Sequence, residues 1–90
     1  EQAIIYPTLG LTGEAGEVAN KVKKIIRDDG NKINKGLVQE ISAEIGDCLW
    51  YISVLADDIG IKLSDIANAN LIKLANRKKK GTIHGSGDTR

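Results

Sequence analysis

The stretch GLVQEISAEIGDCLWYISVLADD, residues 36–58, decides the fold. Within it Val38, Ile41, Ile45, Cys48, Leu49, Ile52, Leu55 and Ala56 recur every three or four positions, and Ile59 continues the series. That is the period of an amphipathic helix, without the alternation a half-buried strand shows. Gly60 stands where a left-handed C-terminal cap is favoured. The spacing therefore predicts a helix from Gly36 to Asp58, about 35 Å long at ~1.5 Å per residue. Such a rod is long for a chain of 90 residues, which points to partner helices from a second copy.

Upstream, Ala15, Val18, Ala19, Val22, Ile25 and Ile26 recur at the same period and predict a helix from about Leu9 to Arg27, with these residues facing inward. The single proline, Pro7, is expected to separate a short stub, Glu1 to Tyr6, from this helix. Asp28-Asp29-Gly30-Asn31 is a turn signal, and Lys32 to Lys35 reads as a polar connector. Downstream, Ser64 or Asp65 is positioned to cap a third helix running to about Lys79. Ile66, Ala69, Leu71 or Ile72, and Ala75 would line its inner face, and Gly81 would end it. The expected fold is all-α: an antiparallel bundle of three main helices over residues 1–80, followed by a Gly-rich tail, 81–90.

Composition narrows this further. Aromatic content is 3%, with no Phe or Met, and Cys48 is the one cysteine, so the core is aliphatic and carries no disulfide. A core this small is expected to be completed by oligomerisation, as a homodimer or homotetramer. No apolar run approaches the ~18 residues that span a bilayer, and no secretory signal is visible. The expectation is a cytoplasmic protein without a membrane partner, and the lone thiol fits a reducing compartment. The first residue is Glu rather than Met, as expected of a chain lacking some N-terminal sequence.

Two carboxylate pairs, Glu14-x-x-Glu17 and Glu44-x-x-Asp47, lie inside the first two helices. Residues three apart share a helix face, so each pair points the same way. At 100° per residue, Glu14, Glu17, Lys21 and Lys24 form a stripe about 120° from the apolar centre of their helix. Glu40, Glu44, Asp47 and Tyr51 form one about 110° from theirs. Both stripes flank the apolar seam, so two helices packed through it would bring four acids around one point. They either splay into water or hold a cation. An all-oxygen donor set suits Mg²⁺ or Mn²⁺ rather than zinc, which recruits His or Cys. Net charge is +1 but unevenly spread: Glu40, Glu44, Asp47, Asp57 and Asp58 occur without Lys or Arg, and Lys73, Arg77, Lys78, Lys79 and Lys80 without acids. A cation plus a polyanionic ligand would use such a division, whereas the bland account is a solvated acidic face and a basic helix C-terminus.

These residues carry a resemblance. Gly13-Glu14-Ala15-Gly16-Glu17-Val18 followed by Glu44-Ile45-Gly46-Asp47 is similar to the ExxE…ExxD signature of the MazG-like nucleoside triphosphate pyrophosphohydrolases, an all-α superfamily. Tyr51 one turn beyond Asp47, and Asn70-x-x-Lys73-x-x-x-Arg77, extend it. The tail Gly81…Gly85-Ser86-Gly87-Asp88-x-Arg90 resembles the C-terminus of short phage- and cassette-borne members. From Leu9 onward the likeness covers nearly the whole chain.

The resemblance implies hydrolysis of a nucleoside triphosphate, usually a deoxynucleotide, to the monophosphate and pyrophosphate. It implies Glu14, Glu17, Glu44 and Asp47 as Mg²⁺ ligands and an assembly of two or four chains. The family's first helix, part of its base pocket, is expected to be mostly missing, and Lys24 stands where some relatives place an aromatic. On this reading Glu14 or Glu17 is the catalytic base. Lys73, Arg77, Lys21 and Lys24 would hold phosphates, while Tyr51 and Asn70 would contact sugar or base. Ser86-Gly87-Asp88 would either fold over the phosphates or remain a free end, and Trp50 would fill a subunit interface. The competing reading is a non-catalytic helical oligomerisation or regulatory module. Near-neutral charge and few aromatics argue against nucleic acid as the partner.

Overall fold

A computed structural model of the chain describes residues 2–28, 30, 32–81 and 84–88, apart from the Gln2 side chain. Glu1, Asp29 and Asn31 of the expected stub and turn, and Thr82, Ile83, Thr89 and Arg90 of the expected tail, lie outside the described residues. The protein is all-α: α1 (Gln2–Asp28), α2 (Lys35–Asp58) and α3 (Leu63–Lys80). Among the described residues there is no strand. Two compact units divide the chain, 1–60 with α1 and α2, and 61–90 with α3 and the tail. No described helix is long and apolar enough to cross a membrane.

The first helix corrects the expected stub. It runs through Pro7 without a break. Pro7 lies inside the helix, where it lacks the N–H that would donate to the Ala3 carbonyl and its ring crowds that carbonyl, yet the helix continues through it. Pro7 is buried, and the hydroxyls of Thr8 and Thr12 donate back to the carbonyls of Ile4 (2.6 Å) and Thr8 (3.0 Å).

Helices α1 and α2 pair antiparallel: Gly10 lies against Tyr51, whereas Lys24 and Asp28 line a cavity with Gly36 and Leu37 at the other end. The second helix starts one residue before the expected Gly36, and its cap lies in the supposed connector. Asn34 is extended (φ −114°, ψ 169°) and its Oδ1 accepts from the Leu37 N–H at 2.8 Å. At the far end Gly60 takes φ 78° and its N–H donates to the Asp57 carbonyl, the left-handed termination expected there.

The face that α1 turns toward α2 is rotated from the expected one. Pro7, Gly10, Leu11, Glu14, Val18, Lys21 and Ile25 are buried or half-buried, whereas Ala15, Ala19, Val22 and Ile26 are exposed. On α2 the covered set is Leu37, Ile41, Glu44, Cys48, Tyr51, Ile52, Val54, Leu55 and Ala56. Val38, Ile45, Leu49 and Trp50 stay exposed. Each helix thus meets the other along one edge of its apolar arc, which draws the flanking acid Glu14 or Glu44 into the contact and leaves the opposite edge uncovered.

The second unit corrects the expected cap of α3. Its N-cap is Lys62, without a side-chain hydrogen bond, and Asp65 sits in the first turn, where its N–H donates to the Lys62 carbonyl. The carboxylate instead complements the positive end of the helix dipole. Gly81 ends α3 in the left-handed region (φ 73°). Ile66, Leu71 and Ile72, expected to face inward, are exposed.

Candidate active site

Of the four acids that the spacing nominates, the structure draws three together. One carboxylate oxygen from each of Glu14, Glu44 and Asp47 lies within 4.8 Å of the others. Glu14 and Glu44 are half-buried and Asp47 exposed. Glu17 stays outside this group: it is exposed and its Oε1 accepts from Asn20 Nδ2 at 3.5 Å. The helix angle explains the split, since Glu17 lies about 60° round α1 from Glu14, on the side away from the contact.

Crowding has an electrostatic consequence. Glu14 is held above its usual value near 4.5. Burial is the largest cause, followed by a hydrogen bond shared with Glu44 and by the charges of Asp47, Glu44 and Glu17. Half-burial keeps Glu14 and Glu44 from splaying freely into water, so the repulsion is relieved by a proton or by a cation. Three hard oxygens converging from two helices fit a divalent ion of the Mg²⁺ or Mn²⁺ class.

Beside the acids stands Tyr51, one turn beyond Asp47. Its hydroxyl is pushed above its usual value near 10, first by Tyr6 and by burial, with Glu14 and Asp47 adding to the effect. Its ring and that of Tyr6 lie 6.3 Å apart, centre to centre, tilted by 53°. Gly10 makes this possible, because a Cβ there would fall closer than 3.0 Å to the Tyr51 ring. Tyr6 lies beyond the site residues that the sequence nominates, because Pro7 marks a break in the pattern between it and the rest of α1. Its signal is the i, i+4 relation to Gly10 in an unbroken helix.

The expected cationic and polar contacts are more widely placed. Lys21 and Lys24 lie about 10 and 15 Å along α1 from Glu14. Lys24 lines a cavity of about 360 Å³ with Asp28, Asn34, Gly36, Leu37 and Glu40. In the second unit Asn70 and Lys73 border an apolar groove with Ile61, Leu63 and Ile66. Arg77 is the one buried charged side chain among the described residues. Both bases reach the tail: Lys73 Nζ donates to Asp88 Oδ1 at 3.1 Å, and Arg77 Nη2 donates to the same oxygen at 3.1 Å and to the Asp88 carbonyl at 2.8 Å.

A family model of the MazG nucleotide pyrophosphohydrolase domain matches residues 5–82. The chain is 47% identical over 89 residues to Gene 37 protein of Mycobacterium phage L5, a span of 99% of this chain and 78% of that protein. It is 36% identical over 72 residues to Uncharacterized protein YvdC of Bacillus subtilis (strain 168), which covers 74% of this chain and 68% of the relative. No solved structure gives a significant match. The chain belongs to the MazG nucleotide pyrophosphohydrolase domain family. The activity class of that family is nucleotide pyrophosphohydrolysis, generally dependent on a divalent metal. The phage relative fits a short, phage-type member.

Proposed function

We propose that this chain hydrolyses (deoxy)nucleoside triphosphates to the monophosphate and pyrophosphate at the site built by Glu14, Glu44 and Asp47, with Mg²⁺ or Mn²⁺ as cofactor. The observation that carries this is the convergence of three carboxylate oxygens, from two helices, within 4.8 Å. Glu14, Glu44 and Asp47 would hold the ion, and Glu17, one turn along α1, would join them through a change of rotamer. Once bound, the ion offsets the negative charge of the triphosphate and polarises the phosphoryl group under attack.

The chain's own groups do the rest. Water adds to the α-phosphorus, the bond from that phosphorus to the bridging oxygen breaks, and pyrophosphate departs. The proton released by the attacking water goes to a carboxylate, Glu14 or Glu17. Lys73 and Arg77, with Lys21 and Lys24, are proposed to hold phosphate oxygens, and Tyr51 and Asn70 to contact sugar or base.

Exposed Val22, Ile26, Val38, Leu49 and Trp50 support a homodimer or homotetramer in which a second copy covers the free edges of α1 and α2. Light scattering is then expected to give a mass of two or four chains. For the reaction, a panel of dNTPs and NTPs incubated with Mg²⁺ and separated by ion exchange is expected to yield monophosphate and pyrophosphate. Diphosphate and orthophosphate would overturn the stated cleavage.

A further inference from the structure

The contact between α3 and the tail uses groups that the proposed reaction needs elsewhere. Arg77 is 5% exposed, and Nη2 is committed to the tail: 2.8 Å to the Asp88 carbonyl, 3.1 Å to Asp88 Oδ1 and 3.5 Å to the Gly87 carbonyl. Lys73 Nζ shares that same Oδ1. One carboxylate oxygen thus bridges two cations, the arrangement a phosphate oxygen would make.

The fit is incomplete. Arg77 Nε is buried and has no hydrogen-bond partner among the described residues. Guanidinium matches oxyanions best through two parallel bonds, and a buried donor left unpaired is unfavourable. A phosphate presenting two oxygens would satisfy Nε and Nη2 together, which the single Asp88 oxygen does not. Asp88 itself is 81% exposed on its side chain, whereas Arg77 is 6% and Lys73 37% exposed, so the carboxylate loses little burial on leaving while the two bases stay in place to meet another anion. Both bases hold the Asp88 carboxyl below its usual range, so it is ionised at neutral pH and competes as an anion.

We propose that Gly87–Asp88 is a built-in competitor for the Lys73–Arg77 anion site, occupying in the free protein the donors that a substrate triphosphate or product pyrophosphate takes, and leaving when the phosphate binds. The inference rests on the reading of Lys73 and Arg77 as phosphate-binding residues. It adds a tail that raises the apparent KM and hastens the departure of pyrophosphate by reclaiming the site.

The test uses the full chain and inorganic pyrophosphate as probe, in EDTA so that no ion at the carboxylate cluster contributes, with binding followed by calorimetry. Asp88→Asn and Asp88→Ala are expected to bind pyrophosphate roughly threefold to tenfold more tightly than the parent chain, the gain from removing a competitor that fills most of the site in the free protein. Arg77→Lys is expected to lose most binding in either background. With nucleotide and Mg²⁺, the Asp88 variants are expected to lower KM and to be inhibited by added pyrophosphate at lower concentration than the parent chain. Equal or weaker pyrophosphate binding by both Asp88 variants overturns the inference, weaker binding marking Asp88 as a residue that positions the bases. Absence of turnover in every protein, with the binding gain retained, defeats the proposed reaction and leaves the competing tail standing.

Discussion

The approach of α1 to the Tyr51 ring gives a sharp mutational test. In Gly10→Ala, the new methyl would fall closer than 3.0 Å to ring carbons, so either the ring or the helix must move. Overpacking of this kind costs about 1–3 kcal/mol, whereas exchanging a mid-helix glycine for alanine returns up to about 1 kcal/mol. The balance is a loss of about 0–2 kcal/mol, centred near 1, or roughly 4–8 °C in Tm for a domain of this size. Gly13, Gly16 and Gly46 have nothing within 4 Å of the corresponding position. There alanine is expected to gain about 0.5–1 kcal/mol. Thermal melts of the four single variants, followed by helical circular dichroism without divalent ions, compare them directly. Gly10→Ala should move opposite to Gly13→Ala. It should also change nucleotide KM, since the displaced ring stands beside Glu14 and Asp47. If Gly10→Ala raises Tm as much as Gly13→Ala, the close contact of α1 with Tyr51 does not exist.

Further outcomes follow from the same structure. Asn34→Ala removes the acceptor for the Leu37 N–H and is expected to cost about 1 kcal/mol, read as a lower urea midpoint with unchanged m. Because Glu14 is raised above its usual value near 4.5, its protonated form is favoured in the fold. Its contribution to stability is therefore full below about pH 4.5 and lost as pH rises through its folded value. Glu14→Gln should raise the cation-free Tm at neutral pH, flatten that slope, and abolish the thermal shift on adding Mg²⁺; an unchanged slope counts against the crowded carboxylates. Glu44→Gln is expected to abolish turnover with helicity intact, and retained activity would remove that residue from the site.

Helix type, number and C-terminal caps were legible because they depend on local features: apolar period, then Gly60 and Gly81 at positive φ. Convergence of Glu14 with Glu44 and Asp47 was legible too, because flank position follows from the same 100° geometry. Which edge of each apolar arc meets the neighbour was not, since α1 has apolar residues over a wider arc than one partner helix covers. That ambiguity is why Val22 and Ile26 were expected inside and Glu17 was grouped with Glu14. Pro7 misled because a proline inside a helix removes one hydrogen bond and crowds one carbonyl without having to end the helix. The bridge from Asp88 to Lys73 and Arg77 joins residues more than ten positions apart through a loop with no period to read.

The central claim is that Glu14, Glu44 and Asp47 together hold a divalent ion. Titrating Mn²⁺ into the protein, with free ion measured by electron paramagnetic resonance, tests it without reference to turnover. The parent chain should remove Mn²⁺ from solution saturably, Mg²⁺ should compete, and Glu14→Gln/Glu44→Gln should leave the signal of the free ion unchanged. Equal Mn²⁺ uptake by the parent and the double variant would contradict the account.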